Sequence, residues 1–88
     1  MMLLSELMEL YLDQCSGLNH PVEMQLGADV LRDYVERVSA LPFYKRPFGI
    51  WQFNDATVRG NAHLQPHQIR FVMLDGTVRE AAFAEPAP

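Results

Sequence analysis

The chain has 88 residues, 49% of them hydrophobic and 20% charged, which is enough for one domain with a modest core and too apolar for a disordered segment. A formal net charge of −4 and a pI of about 5.1 disfavour non-specific binding to nucleic acid or to an anionic membrane. A single cysteine, Cys15, excludes an intramolecular disulfide and fits a reducing, cytoplasmic setting.

Leu3, Leu4, Leu7, Met8, Tyr11, Leu12 and Cys15 recur at helical spacing, with Ser5, Glu6, Glu9, Asp13 and Ser16 mainly on the other side. They predict a helix over residues 2–16, with Gly17 placed as a C-capping glycine. Leu10 widens the apolar arc, and Met1, Met2 and Met8 add flexible side chains to it. The opening MMLLSELMELYLDQ lacks a basic leader and carries Glu6 and Glu9 inside its apolar run, so it reads as neither signal peptide nor membrane span.

GLNHP then breaks the helix, because a residue before proline avoids the α region. VEMQL follows, with Val22, Met24 and Leu26 alternating against Glu23 and Gln25. It reads as a short half-buried strand, or as a lead into the next helix. That helix starts at Gly27 and Asp29, an acid suited to the positive end of the helix dipole. Val30, Leu31, Tyr34, Val35, Val38 and Leu41 form its stripe, and Pro42 stops it.

PFYKRPFG is a loop, and IWQF resumes as a strand. NDATVRGNAHLQPH is open to two readings: Ala56 to Arg59 as a short edge strand with turns at GN and QP, or one long loop. Gln68 to Leu74 and Thr77 to Phe83 form a hairpin around Asp75-Gly76, a favoured pair for a two-residue turn of type I′. That register sets Met73 against Val78 and Phe71 against Glu80. It joins Val78 and Ala82 to a core face with Ile69, Phe71 and Met73, and leaves Val72, Leu74 and Phe83 on the other face. EPAP, residues 85–88, reads as a disordered tail behind a single domain of residues 1–84.

This order predicts an α+β fold of two layers, with two helices packed on a small, mainly antiparallel sheet of three to five strands that ends in a C-terminal β-hairpin.

Few residues carry chemistry. His63 and His67 stand four apart, but Pro66 between them breaks the helix that would make a metal pair. Cys15 and His20 resemble a nucleophile and base only by proximity in sequence, since Cys15 lies on the apolar stripe. Glu6, Glu9 and Asp13 read as a solvated helix face, and the scattered glycines form no phosphate loop. No catalytic, metal or cofactor site is assigned.

The function expected from the sequence is therefore non-enzymatic: a small protein-interaction module. It would act as an adaptor, inhibitor or assembly subunit of the kind common in phages and mobile elements, binding a protein partner or a second copy of itself. Two stretches are expected to do this. One is the helix arc at Leu4, Met8 and Tyr11. The other is FYKRPFGIW, where Tyr44, Lys45, Arg46, Phe48 and Trp51 combine aromatic and cationic side chains typical of binding hot spots. The alternative is a nucleic-acid factor, in which Arg46, Arg59, Arg70 and Arg79 would converge on one sheet face beside Tyr44 and Trp51. No membrane role is expected.

Overall fold

The computed structural model describes residues 4–41 and 51–83, with only the backbone of Trp51. The loop expected at 42–49, including Tyr44, Lys45, Arg46 and Phe48, and the tail at 85–88 lie outside the described residues. In chain order the elements are α1 (Leu4–Gln14), β1 (Pro21–Leu26), α2 (Ala28–Ser39), β2 (Trp51–Phe53), β3 (Ala56–Gly60), β4 (Gln68–Met73) and β5 (Val78–Ala82). Two helices pack on a five-stranded mixed sheet, an α+β fold.

The first helix ends at Gln14, two residues short of the sequence expectation. Gly17 does not cap it. It is instead the first central residue of a tight turn, held by reciprocal 2.9 Å hydrogen bonds between the backbones of Ser16 and Asn19, and its φ of +59° is one that glycine adopts without strain. VEMQL is a strand, with Pro21 added in front, and its pairing with β4 shifts between Pro21 and Glu23 to leave Val22 in a bulge.

The start of α2 lacks a side-chain cap. Its orphan N–H groups are met by a distant carbonyl: Asp29 and Val30 both donate to Pro66 O, at 3.1 and 3.2 Å. Gly27, just before the helix, donates to Gln68 O at 2.8 Å. This approach requires glycine. A Cβ at position 27 would overlap the Gln65 carbonyl oxygen and stand 2.8 Å from that of Pro66.

The sheet order is β2-β3-β1-β4-β5. β1 and β3 run parallel, with α2 and β2 between them in the chain, and the other neighbours are antiparallel. The strand expected at 56–59 is therefore interior rather than an edge. Its buried Ala56 and Val58 explain this, since they face the same core as Met24 in β1.

The hairpin differs from expectation by one residue. Val72 pairs with Val78, Phe71 with Arg79 and Ile69 with Ala81. The loop is Leu74-Asp75-Gly76, closed by Gly76 N–H to Met73 O at 2.9 Å and Met73 N–H to Thr77 O at 2.8 Å. Only Gly76 takes a positive φ, +87°, so this is a three-residue loop and not the two-residue type I′ turn, which needs two such residues. A slip of one residue inverts the faces of a strand. Accordingly Ala81 and Phe83 pack towards the core, while Val78, at 53% exposed, lies with Val72 on the opposite face.

All core-facing strand residues share one face. Met24, Leu26, Ala56, Val58, Ile69, Phe71 and Met73 meet Leu7 and Tyr11 of α1 and Val30, Tyr34 and Val38 of α2. Phe53 joins the layers: Tyr11 and Tyr34 both meet it edge-on, with ring centres 5.8 and 6.3 Å away. The Tyr34 hydroxyl also donates to Gln52 O at 2.7 Å, tying α2 to β2.

The close contact at Gly27 generates a direct test. Gly27→Ala should lower stability by about 3 kcal/mol or more, because the atoms in the way are backbone and cannot rotate aside. Urea unfolding should show the midpoint moving far more than for Ala28→Gly, an exposed change at the first helical residue.

Candidate functional site

The sheet face away from the helices is built by strand alternation. Arg59, Gln25, Arg70 and Glu80 form one row across β3, β1, β4 and β5. The next row is Gln52, Thr57, Glu23, Val72 and Val78. Among the described residues, no helix packs over these rows, since the buried side chains of both helices belong to the other face.

The centre of this face is a closed polar network. Arg59 Nε donates to Glu23 Oε1 at 2.8 Å, and Gln25 Nε2 donates to Glu23 Oε2 at 2.8 Å. Asn61 Nδ2 donates to Gln25 Oε1 at 2.7 Å. Gln25 is thereby only 7% exposed, although it sits on the face without helices, and its amide is satisfied at both ends. On the β5 side, Gln68 Nε2 donates to Glu80 Oε2, and Arg70 Nη2 lies 3.5 Å from Glu80 Oε1. Two arginines face two glutamates, so the network carries no net charge.

One corner of the same face is apolar. Val72 is half-buried beside Val78, and Leu74, in the hairpin loop, is 58% exposed. The neighbouring turn brings Leu18, 91% exposed, on a segment bonded to the same loop: Leu74 N–H donates to His20 O at 2.9 Å and Asp75 N–H to Asn19 Oδ1 at 3.2 Å. The loop is stiffened from within. Asp75 Oδ1 accepts from the Thr77 hydroxyl at 2.6 Å and the Thr77 N–H at 2.9 Å. The Thr77 hydroxyl, followed by its N–H, holds the Asp75 carboxyl below its ordinary pKa.

The residues singled out from the sequence fall into separate places. Leu4 and Met8 are half-buried and Tyr11 is buried, all packed on the core cluster; burial also pushes the Tyr11 phenol up. Leu12 is the large apolar residue that α1 leaves outside, at 58% exposed. Trp51 starts β2 by its backbone. Cys15 and His20 are given to different partners: the thiol donates to Tyr11 O at 3.5 Å, and His20 Nδ1 to Pro21 O at 3.0 Å. His63 is exposed, while His67 is half-buried with Nε2 3.6 Å from Asp29 Oδ2. Glu6, Glu9 and Asp13 are exposed along α1. Among the described residues there is no group of three or more His, Cys, Asp or Glu placed to hold a metal ion, and no helix is long and apolar enough to cross a membrane.

Of the arginines expected to converge, the three among the described residues do not. Arg59 and Arg70 share the helix-free face, each beside a glutamate, while Arg79 pairs with Phe71 on the other side of the sheet. A groove of about 590 Å³ runs beside the 65–68 turn and the end of β5, lined by Pro66, His67, Gln68, Glu80, Ala82 and Phe83. Within it His67 Nε2 lies 3.6 Å from Asp29 Oδ2, and Glu80 is held by Gln68 and Arg70.

Sequence reasoning saw the apolar character of Val72 and Leu74 but missed Val78, because the hairpin register was set one residue off. Comparison of the chain with protein-family models, curated proteins and solved structures finds no match.

Two changes test this description. Asn61→Ala leaves the buried Gln25 oxygen without its donor and should cost about 1–3 kcal/mol in urea unfolding, against little for Ala62→Ser next to it. Thr77→Val should raise the Asp75 pKa towards the ordinary carboxylate value, seen by carbon NMR titration of that carboxyl. In the parent chain the folded-state pKa is the lower one. The Asp75 contribution to stability is therefore present above the unfolded-state pKa and fades as pH falls through the folded-state value, and Thr77→Val should flatten that acid-side loss.

Proposed function

We propose that the protein is a non-enzymatic interaction module that acts by steric binding through the helix-free face of its sheet. The observation that carries this reading is the exposure of Val78 on that face, beside half-buried Val72, next to exposed Leu74 in a loop tied by Thr77 and Asn19. Apolar side chains fixed in place on a rigid support lose little entropy on binding, which is how hot spots gain affinity. Glu23, Gln25, Arg59 and Asn61 are already hydrogen-bonded to one another, so a partner can cover that part of the face without stranding their charge.

Adaptor, inhibitor and assembly subunit are the roles this mode of action serves. A nucleic-acid role has less to draw on: Arg59 and Arg70 are each neutralised by a glutamate, and phosphate binding needs uncompensated cations.

The test is a tagged full-length chain, its Leu74→Glu/Val78→Glu double variant and a Leu12→Glu control, each used to capture partners from a host lysate. A stoichiometric partner, foreign or self, should be held by the parent and by Leu12→Glu and lost from the double variant. Equal capture by all three would remove the helix-free face from the function.

A further inference from the structure

Asp75-Gly76 carries a covalent chemistry as well as a turn. The backbone nitrogen that follows an aspartate can reach the carbon of its side-chain carboxyl and close a five-membered ring. Glycine hinders that nitrogen least, because it has no Cβ. Asp75 is the one aspartate of the chain followed by glycine; Asp13, Asp29, Asp33 and Asp55 precede Gln14, Val30, Tyr34 and Ala56. Asp75 and Gly76 are both exposed, so water reaches them.

The loop holds the two reacting groups on other partners. Asp75 Oδ1 accepts from the Thr77 hydroxyl at 2.6 Å and from the Thr77 N–H at 2.9 Å. The Gly76 N–H donates to Met73 O at 2.9 Å, and the Asp75 N–H donates to Asn19 Oδ1 at 3.2 Å. Ring closure needs the neutral carboxylic acid, since a carboxylate resists a nucleophile. The Thr77 hydroxyl, followed by its N–H, favours the carboxylate instead.

We propose that Asp75 is a site of spontaneous isomerisation to isoaspartate through the Gly76 nitrogen, and that the Thr77 clasp on its carboxyl sets the rate. Gly76 N bonds to Asp75 Cγ, and the carboxyl OH leaves with the amide proton as water. One water then adds to the Asp75 main-chain carbonyl of the ring and breaks the original peptide bond. The product has the mass and charge of the parent, but its chain runs through Cβ. The loop of Leu74, Asp75 and Gly76 thereby gains one main-chain atom. This proposal is independent of the interaction reading.

The test incubates the full chain for several weeks at about pH 6, where a small fraction of an aspartyl carboxyl is still neutral. Arg70 and Arg79 let trypsin release residues 71–79 as one peptide. Its two forms have equal mass and separate by chromatography. The folded parent should isomerise slowly, and the same chain in concentrated guanidinium chloride at least about tenfold faster, because both contacts are then open. Folded Thr77→Val should gain about tenfold over the parent, the scale of one hydrogen bond to a charged group. Thr77→Ser, which keeps the hydroxyl, should stay at the parent rate. Thr77 is exposed, so both variants should keep the parent's circular dichroism.

Asn61→Ala controls for general loosening, since it weakens the fold away from this loop. Its rate should match the parent's. Equal rates in the folded and unfolded parent, no gain in Thr77→Val, or an equal gain in Asn61→Ala would each overturn the proposal.

Discussion

The carbonyl of Pro66 and the missing side chain of Gly27 organise one whole end of this molecule. Pro66 O accepts the N–H groups of Asp29 and Val30 and so serves as the cap that α2 otherwise lacks. Gly27 allows the 65–68 segment to press in that closely. The same junction sets both registers of the central strand. Leu26 O accepts from Asn61 N–H beyond the end of β3, and Gly27 N–H donates to Gln68 O at the start of β4. Helix entry, parallel pairing and antiparallel pairing are therefore fixed within two residues, 26 and 27. Asn61, positioned by this junction, also supplies the donor that satisfies Gln25 on the far face. The helix cap and the polar face are parts of one construction.

The fold was legible wherever local chemistry decides it. Both helices followed from 3.6-residue spacing, and β1 from the alternation of Met24 and Leu26 against Glu23 and Gln25. What escaped were features decided by distant partners. Nothing near Gly17 marks it as part of a turn rather than a helix cap; the Ser16–Asn19 bridge does that. Nothing within ATVRG reveals that the strand is interior, because its place depends on lying parallel to β1 across α2.

The hairpin is the instructive case. Asp75-Gly76 serves a two-residue turn and a three-residue loop equally well, since both need glycine at a left-handed position. The longer loop asks a positive φ of Gly76 alone, and Asp75 then caps the N–H and hydroxyl of Thr77. The difference is one residue of register, yet it transfers Val78 from core to surface and Ala81 and Phe83 from surface to core. The candidate site depends on this transfer. With the shorter turn, that face would have held Val72, Leu74 and Phe83, and Val78 would have joined the core face.

Leu4, Met8 and Tyr11 show the converse limit. A wide apolar arc on a helix has the same sequence pattern whether it covers a sheet or meets a partner. Here a five-stranded sheet is broad enough to take most of it, with Phe53 receiving Tyr11 edge-on and Asn54 reaching the Met8 sulfur at 3.4 Å. What α1 leaves to solvent is chiefly acidic. The two layers consequently divide the described surface between them: the helices carry most of the net negative charge, and the sheet face away from them pairs its arginines with glutamates. A protein of this size has little core to spare. Hydrogen bonds within the sheet satisfy Gln25, Glu23 and Glu80 on the face that, among the described residues, no helix covers.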